Sequence, residues 1–274
     1  MRLSKHHGLG NDFLITFATT VPHDAPTQAV DLCDRFTGIG ADGLIWLTPN
    51  DGEADITMTL LNADGSLAEI SGNGLRCVAQ ALVQRDGQQA GSYVVASGAG
   101  LRNVVVEATD QRSVALVTVD MGQVIDESFP EAEALLGSLI AASHVGSVSI
   151  GNPHVVASVA SPQTVDLAVV GSTVEQAVDG GANVEFIATR GDSTTLDQSA
   201  IDLTVWERGV GITQACGSGA CVAATLAYNW GMVSEPRVDV HMPGGMATVI
   251  VGENTRLIGP ATYIADIEVA RGQR

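Results

Sequence analysis

Two hydrophobic periodicities divide the chain into strands and helices. Residues 55–61 alternate aliphatic or methionine side chains with threonines, which predicts a strand with one buried face. Residues 73–85 instead carry apolar side chains at helical spacing, and Gly87 follows as a stop signal, so an amphipathic helix is predicted there. A second prominent helix is predicted over 217–230 by the same criteria.

The remaining segments extend this pattern into two strand-rich halves. Strands are predicted at 2–6, 13–18, 43–48, 55–61, 92–96, 102–108 and 114–120, then near 145–150, 154–159, 183–189 and 201–207, and through most of 236–269. Shorter helical segments are predicted over 27–36 and 164–177, and the stretch 121–130 is the predicted junction. The sequence therefore predicts an α/β protein of two domains, in keeping with its 274 residues.

Short motifs recur in the same order in both halves, which favours an internal duplication. The pairs are Gly10-Asn11 with Gly151-Asn152, Ala41-Asp42 with Ala182-Asn183, and Ser71-Gly72-Asn73-Gly74 with Cys216-Gly217-Ser218-Gly219. Members of the first two pairs are 141 residues apart and members of the third are 145 apart. The third pair opens both predicted long helices, so each half is expected to place a small-residue loop at a helix N-terminus.

Composition narrows the classes of partner and cofactor. The net charge of −18 argues against nucleic acid or an anionic membrane surface as a partner. No apolar run is long enough to span a bilayer, and the first residues lack the apolar core of a signal peptide, so a cytoplasmic location is expected. Lys5 is the single lysine and lies in the first predicted strand, far from both loops in the sequence, so a route without pyridoxal phosphate is favoured.

The two loops have the chemistry of an anion site with a proton-handling side chain. Glycines and small residues let a carboxylate approach the backbone amides at a helix N-terminus. Cys216 lies where the helix end is expected to lower the pKa of its thiol, which would make it a base for an α-proton. An ordinary loop-to-helix turn, or a phosphate loop without its lysine, is the alternative for either loop, and a buried core thiol is the alternative for Cys216. Cys33, Cys77 and Cys221 are interpreted as packing residues.

Several polar residues near these loops are candidate substrate ligands. Arg208 could pair with a carboxylate, or belong to a surface ion pair with Glu207. Asparagines bind both carboxylate and ammonium groups, although turns explain each of them equally well; they are Asn11, Asn62, Asn152 and Asn183. His154 either supports the site or is a structural histidine. The other histidines have no metal-ligand spacing, and no metal is expected.

Taken together, these motifs resemble diaminopimelate epimerase along nearly the whole chain. The matching segments are His7-Gly8-Leu9-Gly10-Asn11-Asp12-Phe13, Asn62-Ala63-Asp64-Gly65-Ser66, Gly72-Asn73-Gly74, Gly151-Asn152-Pro153-His154, Glu207-Arg208-Gly209 and Ala215-Cys216-Gly217-Ser218-Gly219-Ala220-Cys221. The resemblance implies two pseudo-symmetric domains, each a curved, mainly antiparallel sheet around a central helix, with the active site in the cleft between them. The implied boundaries are 1–120 with a final strand at about 262–274, and 121–261.

The resemblance also implies an activity and a set of residue roles. Such enzymes are cofactor-independent epimerases that interconvert LL- and meso-diaminopimelate for lysine and peptidoglycan synthesis, using two cysteines as a base-and-acid pair. The implied substrate-binding side chains are those of Asn11, Asn62, Asn152, Asn183, Glu207 and Arg208. The amides of Gly72, Asn73, Gly217 and Ser218 would hold the reacting carboxylate. A homodimer is the implied assembly.

The chain departs from the family pattern at four positions. Ser71 stands where the family has its first catalytic cysteine, Ile212 replaces a usual glutamate, Gly43 replaces a glutamine of some members, and Ala265 replaces a tyrosine at the subunit contact of some dimers. Ser71 is either a deliberate Cys→Ser change, a natural variant with a different rate or substrate, or the mark of a relative that abstracts a proton from one side only. A racemase or dehydratase of proline-like imino acids and a catalytically inactive amino-acid-binding protein therefore stay open as alternatives.

Overall fold

The computed structural model of the protein describes residues 1–68, 70–191 and 199–270. The described chain groups into two compact units. Unit 1 comprises Met1–Val119 and the residues from Gly259 onward, and unit 2 comprises Asp120–Ile258. The domain assignment made from the sequence, with boundaries near residues 120 and 261, stays a prediction.

Unit 1 is a ring of strands with a helix inside it. Its elements are β1 (Arg2–Gly8), β2 (Asn11–Phe17), α1 (Ala25–Cys33), β3 (Gly43–Thr48), β4 (Ile56–Asn62), α2 (Gly72–Arg85), β5 (Gly91–Ser97), β6 (Gly100–Ala108) and β7 (Val114–Gly122), with the last strand of the chain, which is labelled β16 below and spans Thr255–Glu268. Consecutive strands are neighbours from β1 to β7, and β16 neighbours both β7 and β1. The strands therefore close into a barrel.

Unit 2 repeats this plan after two added elements at its start. Its elements are β8 (Ile125–Asp126), α3 (Pro130–Leu139), β9 (Ala142–Ser149), β10 (Pro153–Val159), α4 (Leu167–Glu175), β11 (Asn183–Thr189), β12 (Ala200–Glu207), β13 (Gly211–Ile212), α5 (Gly217–Asn229), β14 (Arg237–Met242), β15 (Gly245–Ile250) and β16 (Thr255–Glu268). A single turn of 3-10 helix, Pro162–Thr164, precedes α4.

The direction of strand pairing is the same, step by step, in both units. From β1 to β6 the successive pairs run antiparallel, parallel, antiparallel, parallel and antiparallel. The series β9, β10, β11, β12, β14 and β15 gives the same five directions in the same order. An antiparallel pair with the next strand, β7 or β16, follows in each unit. This agreement supports the duplication predicted from the short sequence motifs.

The two long helices are the central elements of their units. Every residue of α2 from Gly72 to Val83 is buried, and α2 packs on β1, β2, β5 and β6. Helix α5 is buried from Gly217 to Ala224. It packs on six strands: β9, β10, β11, β12, β14 and β15. A helix buried around its whole circumference lies inside a core rather than on its surface. The α/β fold class, with mainly antiparallel sheets around central helices, is confirmed.

Three differences from the sequence-based element prediction have local causes. Helix α1 ends at Cys33 rather than at residue 36, because the carboxylate of Asp34 accepts the N–H groups of Phe36 and Thr37 and so closes a turn. Helix α3 was not predicted, although Pro130 at its start and acidic residues in its first turn are helix-start signals. Strand β16 ends at Glu268, and residues 271–274 of the predicted final strand lie outside the described residues.

Candidate active site

Ser71 is the N-cap of α2. Its backbone is extended, with φ −144° and ψ 112°, and its Oγ accepts a hydrogen bond from Gly74 N–H at 3.0 Å. Because the Gly74 N–H occupies one acceptor site of Oγ, the hydroxyl hydrogen of Ser71 can point towards a ligand. The first turn of a helix carries a partial positive charge, which favours a carboxylate beside Gly72 and Asn73.

Cys216 is the N-cap of α5 and repeats this geometry. Its φ is −119° and its ψ is 117°, and its Sγ accepts from Gly219 N–H at 3.4 Å. Ser218 Oγ also lies 3.4 Å from this sulfur. The pairing of Ser71-Gly-Asn-Gly with Cys216-Gly-Ser-Gly, inferred from sequence, therefore corresponds to one capping geometry used twice.

The environment of Cys216 disfavours its thiolate. The side chain is 4% exposed, and burial raises the pKa of the thiol well above its usual value. The nearby carboxylates of Glu207 and Glu185 raise the pKa further, and the hydrogen bonds from Ser218 and from Gly219 N–H lower it by less. The expectation that the helix end would lower the pKa towards neutrality is wrong, because burial and two carboxylates outweigh the effect of the helix end.

Glu207 accepts a hydrogen bond from the Cys216 thiol and is the candidate acceptor of its proton. Burial raises the pKa of Glu207, while hydrogen bonds from the Thr213 hydroxyl and the Cys216 thiol lower it by less. A carboxylate with a raised pKa is a stronger base, so proton transfer from the thiol to Glu207 is easier than to an ordinary carboxylate. The next residue, Arg208, is anchored through its backbone, whose N–H donates to Asn183 Oδ1 at 2.9 Å.

Glu175 supports the turn that follows Glu207. Its carboxylate accepts Gly209 N–H at 2.9 Å and the indole N–H of Trp206 at 2.7 Å. Glu175 is not predicted from the sequence, because it is the last residue of α4 and lies 31 positions before Trp206. Only the tertiary structure brings it to the turn.

Four residues in unit 2 form a polar group beside α5; His154, Asn183 and Glu185 are buried and Asn152 is half-buried. His154 Nδ1 lies 2.7 Å from Glu185 Oε1, and His154 Nε2 lies 3.0 Å from Asn152 Oδ1. Asn183 Nδ2 donates to Pro153 O at 3.3 Å and lies 3.5 Å from His154 Nε2. The structure therefore brings together three of the residues chosen from sequence and adds Glu185.

Glu185 could have been found from the strand pattern. It is an acidic residue of β11 between the apolar Val184 and Phe186, and it lies two positions after Asn183, so the side chains of Asn183 and Glu185 are on one face. A charged residue at a fully buried strand position is rarely explained by packing alone.

Unit 1 brings Asn11 and Asn73 together beside the N-terminus of α2. Asn73 Nδ2 donates to Asn11 Oδ1 at 3.1 Å, and Asn11 Nδ2 donates to Asp42 Oδ2 at 2.7 Å. The fully buried Arg76 donates to Asn73 Oδ1. Asn11 is the first residue of β2, directly after the Leu9-Gly10 turn, in which both residues have positive φ.

A charge network supports this amide pair. Asp12 lies 2.9 Å from Lys5 Nζ and 2.7 Å from Arg35 Nη2, and the same Arg35 nitrogen lies 2.7 Å from Asp42. Burial acts to raise the pKa of Asp12, but hydrogen bonds from Arg35 and Lys5 outweigh it and hold that pKa below its usual value. Lys5 is therefore committed to an ion pair.

Asn62 forms hydrogen bonds within a turn. Its Nδ2 donates to Ser66 Oγ at 3.0 Å, and its backbone N–H donates to Ser66 O at 2.8 Å. Asp64 Oδ1 accepts Ser66 N–H at 2.9 Å and completes the turn. The structure places Asn62 at the end of β4, beside the start of β3.

The remaining cysteines are buried free thiols, as is Cys216. Burial raises the pKa of Cys33 and of Cys77 to about 12, so neither is a base near neutral pH. Cys221 is fully buried in α5. The interpretation of these three as packing residues fits their burial.

Comparison with known proteins decides the family. The model of the family described as "Diaminopimelate epimerase" matches residues 3–125 and 146–264. A diaminopimelate epimerase of Synechococcus elongatus is 36% identical, with 96% of each chain covered, and one of Pelotomaculum thermopropionicum is 37% identical, with 96% of this chain and 97% of that protein covered. The chain belongs to the diaminopimelate epimerase family. It is accordingly an isomerase by family, as the resemblance implied.

Solved structures share the fold at low sequence identity. A predicted epimerase from Pseudomonas aeruginosa superposes with a TM-score of 0.75 at 17% identity, covering 99% of both chains. A hydroxyproline epimerase from Agrobacterium vitis, solved with trans-4-hydroxy-L-proline, gives a TM-score of 0.66 at 16% identity, covering 98% of this chain and 90% of that one. These likenesses support the fold alone.

Two departures from the diaminopimelate epimerase pattern have visible structural settings. A Cβ atom on Gly43 would lie 2.8 Å from Leu61 O and 3.0 Å from Leu60 Cδ1, so a larger side chain does not fit here without a shift. Ile212 pairs with Trp206 in β13 and is 56% exposed. Within the described ranges, no helix is long and apolar enough to cross a membrane, and no group of three or more histidine, cysteine or acidic residues could hold a metal ion.

Proposed function

We propose that the protein interconverts LL- and meso-diaminopimelate without pyridoxal phosphate, as a step of lysine and peptidoglycan biosynthesis. The observation that carries the proposal is the repeated helix N-terminus, in which Ser71 and Cys216 hold the same N-cap position. Curated relatives named diaminopimelate epimerase, which cover 96% of the chain, support the choice of substrate. The substrate is then a small dicarboxylic amino acid, and no cofactor is needed.

The substrate carboxylate at the reacting carbon is assigned to the two helix ends. The amides of the first turns supply the donors; they belong to Gly72, Asn73, Gly217 and Ser218. The remaining polar groups of the substrate are assigned to the side chains of Asn11, Asn62, Asn152, Asn183, Glu207 and Arg208. Amide groups suit this task because they donate and accept, and so bind both ammonium and carboxylate.

Cys216 is assigned as the base for one face of the α-carbon. Its thiol proton passes to Glu207, and the resulting thiolate removes the α-proton of the substrate. The bond from the α-carbon to hydrogen breaks, its electron pair stays on the carbon next to the carboxylate, and the sulfur is a thiol again. The positive end of α5 stabilises the charge that develops on that carboxylate.

Ser71 makes the two faces of the reaction unequal. A serine hydroxyl is a far weaker acid than a thiol, so Ser71 is a poor partner for proton transfer at neutral pH. Ser71 keeps the N-cap hydrogen bond and can still orient a substrate or a water molecule. We assign fast proton exchange to the Cys216 face and slow inversion to the complete reaction.

Isotope exchange in deuterated water tests this assignment. One diaminopimelate stereoisomer is expected to take up deuterium at the α-carbon faster than it inverts, as followed by proton NMR and chiral chromatography. Cys216→Ala should remove this exchange, whereas Ser71→Ala should leave it largely intact. Absence of label in both stereoisomers would contradict the assignment of Cys216 as a base.

A second candidate activity is favoured by Ser71 itself. One competent base suits elimination of water from a hydroxylated imino acid, because elimination needs no proton donor on the opposite face. Incubation with hydroxyproline isomers, followed by detection of the cyclic imine, separates a dehydratase from an epimerase. Binding of diaminopimelate by calorimetry with no exchange at either α-carbon would instead favour a catalytically inactive binding protein.

Cellular location and assembly are also proposals. The acidic composition and the biosynthetic relatives support a cytoplasmic enzyme without nucleic-acid or membrane partners. A homodimer is proposed from family membership, although Ala265 replaces the tyrosine found at the contact of some dimers. Light scattering on the purified protein distinguishes a dimer from a monomer.

A further inference from the structure

Glu185 is a buried carboxylate at the base of the Cys216 loop. It is 0% exposed and lies in the strand β11, where it pairs with Val156 of β10 and Val205 of β12. A Cβ on Gly219 would lie 2.8 Å from Glu185 Oε1. The carboxylate therefore rests against the first turn of α5, behind the capping residue Cys216.

The contacts of Glu185 define the proton arrangement of His154. A carboxylate 2.7 Å from Nδ1 fixes a proton on that nitrogen. Nε2 then faces the amide side chains of Asn152, at 3.0 Å, and Asn183, at 3.5 Å. Both asparagines are proposed substrate ligands, so the histidine links a buried anion to the substrate-binding amides.

The corresponding place in unit 1 has no histidine–carboxylate pair. Phe13 pairs with Gly43 in unit 1, and His154 pairs with Asn183 at the same point of unit 2. Ile45 lies two positions after Gly43, and Glu185 lies two positions after Asn183, so Ile45 is the counterpart of Glu185. Phe13 and Ile45 are buried apolar residues. The same place in the same fold is therefore built from apolar side chains in the other unit.

A buried carboxylate paired with a histidine is a poor stabiliser compared with apolar residues of similar volume, because the carboxylate loses its hydration. Glu185 Oε2 also has no hydrogen-bond partner among the described residues, which adds to the cost of burial. A residue kept at such a cost, beside the reactive thiol, is expected to serve the site rather than the fold.

We propose that Glu185 is a positioning residue that fixes the ring orientation and Nδ1 proton of His154, and through Nε2 orients the side chain of Asn152, whose Oδ1 lies 3.0 Å away, towards the substrate. The inference rests on the proposed function for its catalytic consequence, but not for its structural content. Glu185 does not touch the substrate in this proposal, and it acts through the histidine alone.

Replacement of the carboxylate by an isosteric amide tests the proposal. Glu185→Gln should lower kcat for α-proton exchange by about 10²-fold and change KM by less, because binding groups remain while their orientation is lost. Glu133→Gln is the matched control, since Glu133 accepts a hydrogen bond from Ser147 in unit 2, on a helix outside the site. Equal kcat values in the two variants would overturn the proposal.

Nitrogen NMR of the unmodified protein provides a readout that does not depend on turnover. In protein labelled with ¹⁵N-histidine, the His154 signals, assigned with a His154→Gln variant, should show a protonated Nδ1 in the ligand-free state. Loss of that protonated signal in Glu185→Gln supports the proposal, and an unprotonated Nδ1 in the parent protein overturns it. This measurement needs no substrate. Failure of the epimerase assay alone would therefore contradict the proposed function, and the NMR result would still decide whether Glu185 fixes the Nδ1 proton of His154.

Discussion

The two units keep one backbone plan and divide the chemistry between them unequally. The pairing registers align Asn11 with Asn152, Gly43 with Asn183 and Asn62 with Glu207. Unit 2 has acid–base groups at positions where unit 1 has none: Glu207 corresponds to Asn62, Glu185 to Ile45, His154 to Phe13 and Cys216 to Ser71. The two units therefore share one backbone frame, and in the proposed function the proton-transfer groups belong to unit 2.

Charges are also handled differently in the two units. In unit 1, Asp12 and Asp42 are neutralised by Lys5 and Arg35, and the charges support an amide pair. In unit 2, Glu207 and Glu185 face a buried thiol and raise its pKa. In the proposed function, unit 1 is therefore the binding half and unit 2 the reactive half.

The largest expected effect comes from removing the reactive half's thiol. Cys216→Ala should lower the rate of α-proton exchange by about 10³-fold or more, because alanine at the N-cap of α5 has no thiol to remove the proton. Ser71→Ala should lower exchange far less. Both rates are measured by deuterium uptake under the same conditions, and similar losses in the two variants would contradict the division of roles.

Restoring symmetry is expected to have the next largest effect. Ser71→Cys should raise the rate of inversion by about 10²-fold or more, since a thiol can then exchange protons at the second face. Exchange at the Cys216 face should change little. An inversion rate that stays at the level of the parent protein would indicate a changed reaction rather than an interrupted pair of cysteines.

The two units should also respond oppositely to pH. The pKa of Asp12 is lowered by folding, so its contribution to stability is present above its unfolded pKa and is lost as pH falls through the folded value. Asp12→Asn should therefore cost about 1–3 kcal/mol of unfolding free energy at neutral pH and much less in acid. Urea unfolding at several pH values measures the difference.

The pKa of Glu207 shifts in the opposite direction from that of Asp12. Folding raises its pKa, so the ionised carboxylate destabilises the folded protein at neutral pH, and this cost disappears as pH falls below its unfolded pKa. Glu207→Gln should raise the unfolding free energy at neutral pH and have no effect in acid. A loss of stability at neutral pH in this variant would show that the carboxylate is held by contacts stronger than its burial cost.

Most of the strands and helices can be predicted from the sequence, because hydrophobic periodicity depends on residues that are close together in the chain. The strand alternation of β4 and the apolar stripe of α2 are readable without tertiary information, and the family motifs supplied the candidate site. The alignment of the halves was less accurate. The repeated Ala-Asx pair suggested Asp42 as the counterpart of Asn183, but strand register assigns Gly43 to that position.

The electrostatics of the site could not be predicted from sequence. The pKa of Cys216 depends on Glu185 and Glu207, which approach it only after β11, β12 and α5 pack together. The hydrogen bond from the helix N-terminus lowers the pKa of the Cys216 thiol, but burial raises it by more. Glu175 was missed for the same reason, because its partners are distant in sequence.

The smallest net change in stability is expected when unit 2 is given the residues of unit 1. Each single change, His154→Phe or Glu185→Ile, leaves one buried group without its partner and should cost about 3–5 kcal/mol. The double variant removes both, and its unfolding free energy should lie near that of the parent protein, because Phe13 and Ile45 already fill this place in the same fold. Activity should nevertheless be lost in the double variant. Chemical unfolding of all four proteins measures the coupling, and a double variant as unstable as the sum of the single variants would mean that the pair serves the fold of unit 2 and not its chemistry.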